Sequence, residues 1–359
     1  MKKFLALLLT LTLVFSLAAC GEKTDTPANE DQVEVLLFIH GTLGDLSFFD
    51  SAARGIDMIN DKYGDEVQTK IVEAGSDNTK WESALLDEAD KGYDIIFLGT
   101  WEMIGYVMDF APDYPETDFI MFDEGIDFTA GDYENVFCIK YAQNEGSFLA
   151  GALAAKMTET NKIGFLGGAP YPVINDFLVG YIEGAQYVNP DIQVQVSFIG
   201  DFVDSAKGKE LALVQYNNGV DVGFNVAGGA GLGQVDAAYE TDNLVIGVDS
   251  DQAMLFADSN PEKAEKIVSS MLKQVDVSFL HAFDMWMDET IEMGTAQVFG
   301  LKLDTVTLAD NKYFQDLVSE DIRTYLAEVE KKIEDGEIVV SSALNLSAEE
   351  VDAIIESAQ

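Results

Sequence analysis

Cysteine, histidine and basic residues are scarce in this chain of 359 residues, and each scarcity excludes a class of protein. There are two cysteines, Cys20 and Cys138. The N-terminal sequence accounts for Cys20, as described below, so Cys138 has no disulfide partner and is interpreted as a buried core residue. The two histidines, His40 and His281, are too few for a multi-histidine metal site and argue against histidine-dependent catalysis. No P-loop and no Gly-x-Ser-x-Gly elbow is present, so the sequence favours a binding protein over an enzyme.

The shortage of basic residues gives the chain a strong negative charge. Lysine and arginine number 21 against 64 aspartates and glutamates, for a formal net charge of −43. Such a field repels nucleic acid and anionic lipid, so we expect no nucleic-acid partner. The carboxylates are scattered rather than spaced as metal ligands, and no metal or cofactor is expected. We interpret the acidity as a solubility feature rather than as a site for a cationic partner.

The N-terminus carries the clearest targeting signal. Lys2 and Lys3 precede an uncharged apolar run over residues 4–17, and the sequence Leu-Ala-Ala then leads to Cys20. Small residues before a cleavage point are typical of a secretory signal peptide. A cysteine directly after them is similar to the bacterial lipobox, in which the thiol is diacylated. The apolar run is also shorter than the roughly 20 residues that a membrane-spanning helix needs.

These features predict a lipid-anchored protein on the extracytoplasmic face of the cell membrane. We assign residues 1–19 to a signal peptide and residues 20–32 to a lipidated N-terminus and polar tether, with Cys20 as the lipidation site. Two acyl chains on one cysteine meet the usual requirement for stable anchoring. No later run is long and apolar enough to span a bilayer.

From residue 33 onward, short apolar runs alternate with longer helical patterns. The predicted strands cover residues 35–39, 69–72, 95–98, 119–122, 136–139, 162–166, 194–198, 222–226 and 244–248. The predicted helices cover residues 50–62, 81–91, 147–157, 176–188, 205–217 and 232–241. Continuous apolar strands separated by helices are typical of parallel sheets covered on both faces.

The alternation occurs twice, with a break near residues 142–146, and the length also suggests two domains. We therefore predict an α/β protein with two doubly wound parallel-sheet lobes joined by a hinge. The predicted lobes are residues 33–141 plus 251–296 and residues 142–250 plus 297–359. Three further elements are expected after the second series: a long helix over residues 262–287, a strand over 297–303 and a helix over 319–335.

Polar, glycine-rich turns follow several predicted strands, at residues 40–45, 99–101, 167–170 and 249–252. Open parallel sheets bind ligands beyond the carboxyl ends of their strands, so these turns are expected to line a cleft. Another turn, 227–233, has the spacing Gly-x-Gly-x-Gly rather than that of a dinucleotide fingerprint, and is interpreted as a tight turn near a ligand. Phe48 and Phe202 occupy comparable strand-end positions in the two lobes. Two such rings could sandwich a planar ligand, at about 1–3 kcal/mol per stacked base.

Several segments together carry a family resemblance. They are residues 43–48, 114–123, 145–151, 163–168, 227–233, 246–252, 269–273 and 332–338. The string Gly-Val-Asp-Ser-Asp-Gln at 247–252, combined with Ala-Gly-Gly at 227–229, is the most specific of them. The chain resembles the basic membrane protein, or purine-nucleoside receptor, family of substrate-binding lipoproteins of ABC transporters, and the resemblance covers nearly all of the body in order.

The resemblance implies a type I periplasmic-binding-protein fold that closes on a nucleoside and delivers it to an ABC permease. Phe48 and Phe202 would then stack on the base, and Asp123 would accept hydrogen bonds from the base edge. Asp249 and Lys273 would hold the ribose hydroxyls. By the same resemblance, the Gly228 backbone would line the sugar. A monomer is expected.

Two positions leave alternatives open. Asp251 is close enough to Asp249 to be the ribose ligand instead, or to cap the following helix. The family usually has Asn after the stacking Phe, and Phe49 stands there, so a different solute such as a sugar or an amino acid remains an alternative. His40 could supply the lost polar contact. A surface hydrolase acting on nucleosides or glycans through Asp123 and Asp249 is a third interpretation.

Overall fold

Two six-stranded sheets organise the chain in the computed structural model, which describes residues 32–359. The strands are β1 (Val33–Ile39), β2 (Val67–Glu73), β3 (Ile95–Gly99), β4 (Asp118–Phe122), β5 (Val136–Tyr141), β6 (Lys162–Gly167), β7 (Gln193–Phe198), β8 (Val222–Val226), β9 (Leu244–Asp249), β10 (Ile267–Lys273), β11 (Thr295–Phe299) and β12 (Val306–Leu308). The predicted signal peptide, Cys20 and most of the predicted tether lie outside the described residues.

Helices fill the segments between the strands. They span Phe48–Tyr63, Trp81–Ala89, Ile104–Phe110, Gln143–Met157, Pro172–Val188, Ser205–Asn217, Gly228–Thr241, Gln252–Phe256, Pro261–Ala264, Val275–Met287, Lys312–Leu317, Glu320–Glu334 and Ala348–Ser357. Within residues 32–359, none of them is both long enough and apolar enough to cross a membrane.

The strand order defines two parallel lobes. The first sheet runs β11-β5-β4-β3-β1-β2 and every pairing in it is parallel. The second runs β12-β10-β9-β8-β6-β7, and only the short edge strand β12 is antiparallel to its neighbour. The central strands β3 and β8 are buried along their whole length, because helices cover both faces of each sheet. The edge strand β2 is partly exposed, as its mixed sequence requires.

The structure confirms the predicted fold class, and the nine predicted strands and six predicted helices of the two series are present with small shifts at their ends. The chain crosses between the lobes three times, after β5, after β10 and after β11. A C-terminal helix, Ala348–Ser357, was not predicted.

The long helix predicted over residues 262–287 is wrong. A short helix, Pro261–Ala264, is followed by strand β10 and then by the helix Val275–Met287. β10 is buried on both faces, so it lacks the period-two alternation that distinguishes a half-exposed strand from a helix. The predicted strand over 297–303 begins earlier, as β11, and its second half is a 3₁₀ turn, Leu301–Leu303.

The strand pairing also assigns β10 and β11 to different lobes from those predicted. β10 pairs with β9 and β12 in the second sheet, although residues 251–296 were assigned to the first lobe. β11 pairs with β5 in the first sheet and begins at Thr295. The difference arises because the chain returns to the first lobe only after β10.

Glycines allow two helices of the second lobe to pack with their backbones in contact. Gly151 of helix Gln143–Met157 faces the carbonyl of Tyr181, and Gly184 of helix Pro172–Val188 faces the carbonyl of Phe148. A Cβ atom at either glycine would overlap the carbonyl oxygen opposite it. Because a backbone atom cannot move aside as a side chain can, no larger residue fits without separating the helices.

We expect Gly184→Ala to lower the free energy of unfolding by about 2 kcal/mol or more, since overpacking in a close contact costs about 1–3 kcal/mol. Gly105→Ala is the matched control: this helical glycine is exposed and nothing lies within 4 Å of its Cβ position. It should leave stability unchanged or raise it by up to about 1 kcal/mol. Urea unfolding of both variants checks this, and equal effects would contradict the packing argument.

Candidate functional site

The residues at the carboxyl edges of the two sheets carry an unusual backbone conformation. In the first lobe, Thr100 follows β3 with φ 75° and Asp123 follows β4 with φ 74°. In the second, Asp249 ends β9 with φ 62° and Gly228 lies just after β8 with φ 53°. Left-handed backbone is rare outside glycine and clusters where a structure holds a functional residue in place. The candidate site therefore lies where these two edges meet.

A buried ion pair joins the two lobes at this point. Lys273, the last residue of β10, is 2 % exposed, and its ammonium contacts Oδ1 of Asp123 in the other lobe. The rings of Phe48, Tyr141 and Phe177 surround the Lys273 Nζ, with centroids 5.4, 4.9 and 5.3 Å away. Burial raises the pKa of Asp123 and the lysine opposes that effect. The structure thus brings three of the predicted site residues, Phe48, Asp123 and Lys273, into one contact.

Asp249 forms a second contact between the lobes. The hydroxyl of Ser47, in the first lobe, donates to Asp249 Oδ2. The Asp249 side chain is buried, and this burial raises its pKa to about 7, against the lowering effects of Lys273 and of the Ser47 hydroxyl. Asp45 and Asp123 raise the pKa further through repulsion. The Lys273 ammonium therefore lowers the pKa of both Asp123 and Asp249. With a pKa of about 7, Asp249 gains or loses its proton near neutral pH.

Phe48 lies at the start of helix Phe48–Tyr63 and presents a half-buried ring to the cleft wall. Its centroid is 5.5 Å from those of Phe49 and Phe122. Carboxylates of the preceding turn hold the loop: Asp45 accepts from the backbone N–H groups of Ser47 and Phe49. Hydrogen bonds to the backbone on either side of Phe48 thus fix the position of its ring.

Phe202 and Gly228 lie together on the second lobe. The carbonyl of Phe202 accepts from Ala230 N at 2.9 Å and lies 3.5 Å from the Cβ position of Gly228. The half-buried Phe202 ring covers Gly168, where a Cβ would overlap it, and lies nearly parallel to Tyr171 at 6.3 Å. Gly168 therefore makes room for the ring. The interpretation of residues 227–233 as a tight turn is wrong, because helix Gly228–Thr241 begins at its second residue.

Asp251 serves as a helix cap. Its Oδ1 accepts from Met254 N at 3.2 Å, at the start of helix Gln252–Phe256, and from Asn311 Nδ2 at 2.7 Å. This is the second of the two roles that the sequence left open for it. Asp251 also borders a cavity of about 250 Å³ that Arg54 and Asp249 line from other sides.

Phe49 and His40 lie side by side behind Phe48. Their rings meet edge to face at 5.3 Å, and Phe49 covers Gly41, whose Cβ would be 2.6 Å from the ring. His40 is buried, with Nε2 3.2 Å from Thr100 Oγ1 and 3.6 Å from Glu102 Oε2. Burial raises the pKa of Glu102, but the bonds from His40 and Thr100 outweigh it and leave the pKa below its usual value. His40 is thus engaged with Glu102, which sequence reasoning missed.

Two further contacts between the lobes had no signal in the sequence. Arg54 donates across the lobes from Nη2 to Ser250 Oγ at 2.8 Å, and within its own lobe from Nε to Asp276 at 3.1 Å. Trp101, 42 % exposed, meets Tyr171 of the second lobe with ring centroids 4.5 Å apart. Both depend on residues far apart in the chain, so only the folded structure reveals them.

Two parallel α/β lobes that close over a polar, aromatic-walled cleft define a solute-binding protein of the kind that serves ABC transporters. The chain matches the family model described as "ABC transporter substrate-binding protein PnrA-like" over residues 32–343, and it belongs to that family. The predicted family is therefore confirmed.

Named relatives agree with this assignment. The chain is 30% identical over 370 residues to the CD4+ T-cell-stimulating antigen of Listeria monocytogenes, covering 94% of this chain and 98% of the relative. It is 34% identical over 262 residues to the ABC transporter nucleoside-binding protein BmpA of Lactococcus lactis, covering 70% and 72%. It is 30% identical over 344 residues to basic membrane protein A of Borreliella burgdorferi, covering 95% and 96%.

A solved structure with the same architecture is the ABC transporter solute-binding protein from Aeropyrum pernix K1. It superposes with a TM-score of 0.77 at 26% identity, covering 90% of this chain and 96% of that one. A transcriptional activator of the comK gene from Bacillus halodurans superposes with a TM-score of 0.70 at 22% identity, which shows the shared fold alone.

The raised pKa of Asp249 predicts a pH-dependent contribution to stability. Between about pH 4 and 7 the folded protein holds this proton and the unfolded chain does not, so this group lowers the free energy of unfolding as pH rises through that window. Asp249→Asn removes the effect, so the variant should gain stability relative to the parent between pH 5 and pH 8. Urea unfolding of the ligand-free proteins measures this, with the exposed Asp352→Asn as control. A gap independent of pH would contradict the assignment.

Proposed function

We propose that this chain is the extracytoplasmic receptor of an ABC importer and that it captures a nucleoside with a purine base between its lobes. The observation that carries the proposal is the buried contact of Lys273 with Asp123, placed beside Asp249 and against the Phe48 ring. A relative from Lactococcus lactis that covers most of the chain is named as a nucleoside-binding protein, which supports the same ligand class.

The chemistry of the cleft suits the two halves of a nucleoside. A base is planar and apolar on its faces, and the rings of Phe48 and Phe202, one from each lobe, can stack on it. Ribose carries vicinal hydroxyls, which donate to a carboxylate and accept from an ammonium. Asp249 and Lys273 supply these two groups in a buried setting, where charge-assisted hydrogen bonds are strong.

Ligand capture is coupled to closure of the lobes. The Lys273–Asp123 and Ser47–Asp249 contacts both join one lobe to the other. A nucleoside that enters the cleft exchanges some of these contacts for bonds to its own hydroxyls and base. The nucleoside therefore stabilises the closed state only if its bonds to the protein are together stronger than the contacts between the lobes that they replace.

The remaining parts of the proposal concern the membrane. We propose lipidation at Cys20 after removal of residues 1–19, delivery to a permease, and action as a monomer. Replacing Cys20 by Ala should move the protein from the membrane fraction to the medium, because the lipid chains supply the anchor. Fractionation and immunoblotting of cells expressing either form measure this, with Cys138→Ala as the control that should stay in the membrane fraction. Retention of the Cys20→Ala protein would contradict lipid anchoring.

Two other functions make different predictions for the same cleft. Phe49 removes an amide from the cleft wall and favours a binding protein for a sugar or an amino acid. A hydrolase would use Asp123 and Asp249, and would convert a nucleoside to base and ribose. Chromatography after incubation separates these cases, because a binding protein returns its nucleoside unchanged.

Calorimetric titration tests the ligand class. The body from residue 21 onward is unfolded and refolded to remove bound ligand, then titrated with adenosine, guanosine, inosine, uridine, ribose and adenine. We expect purine nucleosides to bind, and ribose and adenine alone to bind far more weakly, because each fills half of the site. Failure of every nucleoside to bind would overturn the proposal and leave the solute-binding fold without this ligand.

Asp249→Ala should weaken nucleoside binding by more than tenfold, about 1.4 kcal/mol, because it removes the buried acceptor assigned to the ribose. Asp251→Ala is the matched control, since that carboxylate caps a helix. Titration of both variants measures the effect. A loss in Asp251→Ala with none in Asp249→Ala would move the ribose contact two residues along the chain.

A further inference from the structure

We propose that Glu102 determines base specificity by accepting hydrogen bonds from the ligand, and that it selects the guanine edge, which presents an imino N–H beside an amino group. This inference rests on the proposed nucleoside function and adds the identity of the base. Glu102 lies outside the motifs on which the family resemblance was based.

Strand order places Glu102 beside the base-edge residue Asp123. β4, β3 and β1 are neighbours in the first sheet, so Asp123, Thr100 and His40 follow three adjacent strand ends. Thr100 N donates to the carbonyl of Phe122 at 2.9 Å, which ties the two turns together. Glu102 is close enough to Asp123 for its charge to raise the pKa of that carboxyl. Two carboxylates therefore share one wall of the cleft.

The hydrogen bonds around Glu102 hold it as an ionised acceptor. Thr100 has one hydroxyl proton, and it donates this proton to Glu102 Oε2 at 2.5 Å. The 3.2 Å contact between His40 Nε2 and Thr100 Oγ1 must then be donated by the imidazole. Both neighbours of the carboxylate approach the same oxygen, Oε2. Oε1 is the oxygen that can turn to a ligand, and the side chain is 23 % exposed.

The backbone under Glu102 is strained in a way that fits a functional position. Thr100 is β-branched and has φ 75°, a conformation that such residues rarely adopt. The strained turn directs Trp101 outward onto Tyr171 of the other lobe, at 4.5 Å, and Tyr171 lies parallel to the stacking residue Phe202. The same segment thus carries Glu102 and contacts the opposite wall of the cleft. Lobe closure therefore sets where the carboxylate meets the ligand.

The chemistry of this wall selects donors. Phe49 has neither a donor nor an acceptor. Asp123, paired with the Lys273 ammonium, and Glu102 are carboxylates that accept hydrogen bonds. Two adjacent acceptors are satisfied by two adjacent donors, which guanine provides at N1 and at its 2-amino group. Adenine presents a lone pair at N1, which a carboxylate repels. A site built to accept a hydrogen bond rejects an analogue that lacks the donor, because its buried polar group is left unpaired.

Glu102→Gln tests the assignment from the side of the protein. The variant keeps the shape of the side chain and replaces one acceptor by a donor. We expect the ratio of guanosine to adenosine affinity to fall at least tenfold, with inosine, which has N1–H and no 2-amino group, affected less than guanosine. Glu82→Gln, an exposed glutamate on the same lobe, is the matched control and should keep the ratio of the parent. Thermal unfolding of both variants verifies that they fold.

The parent protein supplies an independent test that needs no variant. Methylation at N1 removes the donor that Glu102 or Asp123 receives, so 1-methylguanosine should bind at least tenfold more weakly than guanosine. 7-Deazaguanosine is uncharged, keeps the N1–H and 2-amino donors, and serves as the control ligand. Tighter binding of guanosine than of adenosine by the parent protein, lost on N1 methylation and kept by the control ligand, supports selection of the guanine edge even if Glu102→Gln does not fold.

The outcomes separate this inference from the proposed function. Suppose that guanosine and adenosine both bind, that Glu102→Gln leaves the ratio of their affinities within twofold of the parent's, and that 1-methylguanosine binds within twofold of guanosine. The specificity proposal is then overturned and nucleoside capture stands. If no nucleoside binds the parent protein, both proposals fail together.

Discussion

The buried contact between Lys273 and Asp123 is the interaction on which the rest of the site depends. An ammonium group in a dry, aromatic-lined position is tolerated only beside a carboxylate, and removal of one partner from such a pair costs about 3–5 kcal/mol. Each partner ends or follows a strand of a different sheet, so the pair forms only when the lobes are together. The electrostatic requirement of a single lysine thereby links the strand order of two separate sheets to the closed arrangement of the cleft.

The surrounding groups adjust to that one positive charge. Asp249 and Asp45 crowd the same region, and the lysine lowers the proton affinity of Asp249 without fully offsetting its burial. Ser47 satisfies the Asp249 carboxylate from across the cleft. Among the described side chains around the Lys273 ammonium, hydrogen-bond acceptors outnumber donors. The cleft therefore favours ligands rich in hydroxyl and N–H groups.

Most of the fold could be predicted because its strands are continuous apolar runs with helical patterns between them. β10 could not, since a strand buried on both faces shows no alternation, and the prediction joined it to the helices on either side. At the site, Phe48, Asp123 and Lys273 were identified from motifs and do lie together. Glu102 was missed because its position depends on the left-handed backbone of Thr100 and on a contact at 3.6 Å with a histidine 62 residues earlier in the chain. Such pairings leave no local sequence signal.

The three crossings between the sheets have a mechanical consequence. A single connection would let one lobe swivel freely over the other, and two would still allow twisting about the line that joins them. Three covalent connections resist sliding and twisting, since either motion stretches at least one of them, and leave bending as the soft mode. We therefore expect the opposed residues of the cleft to meet in the same register whenever the lobes come together. Recognition can then rely on groups from two lobes as if they belonged to one rigid pocket.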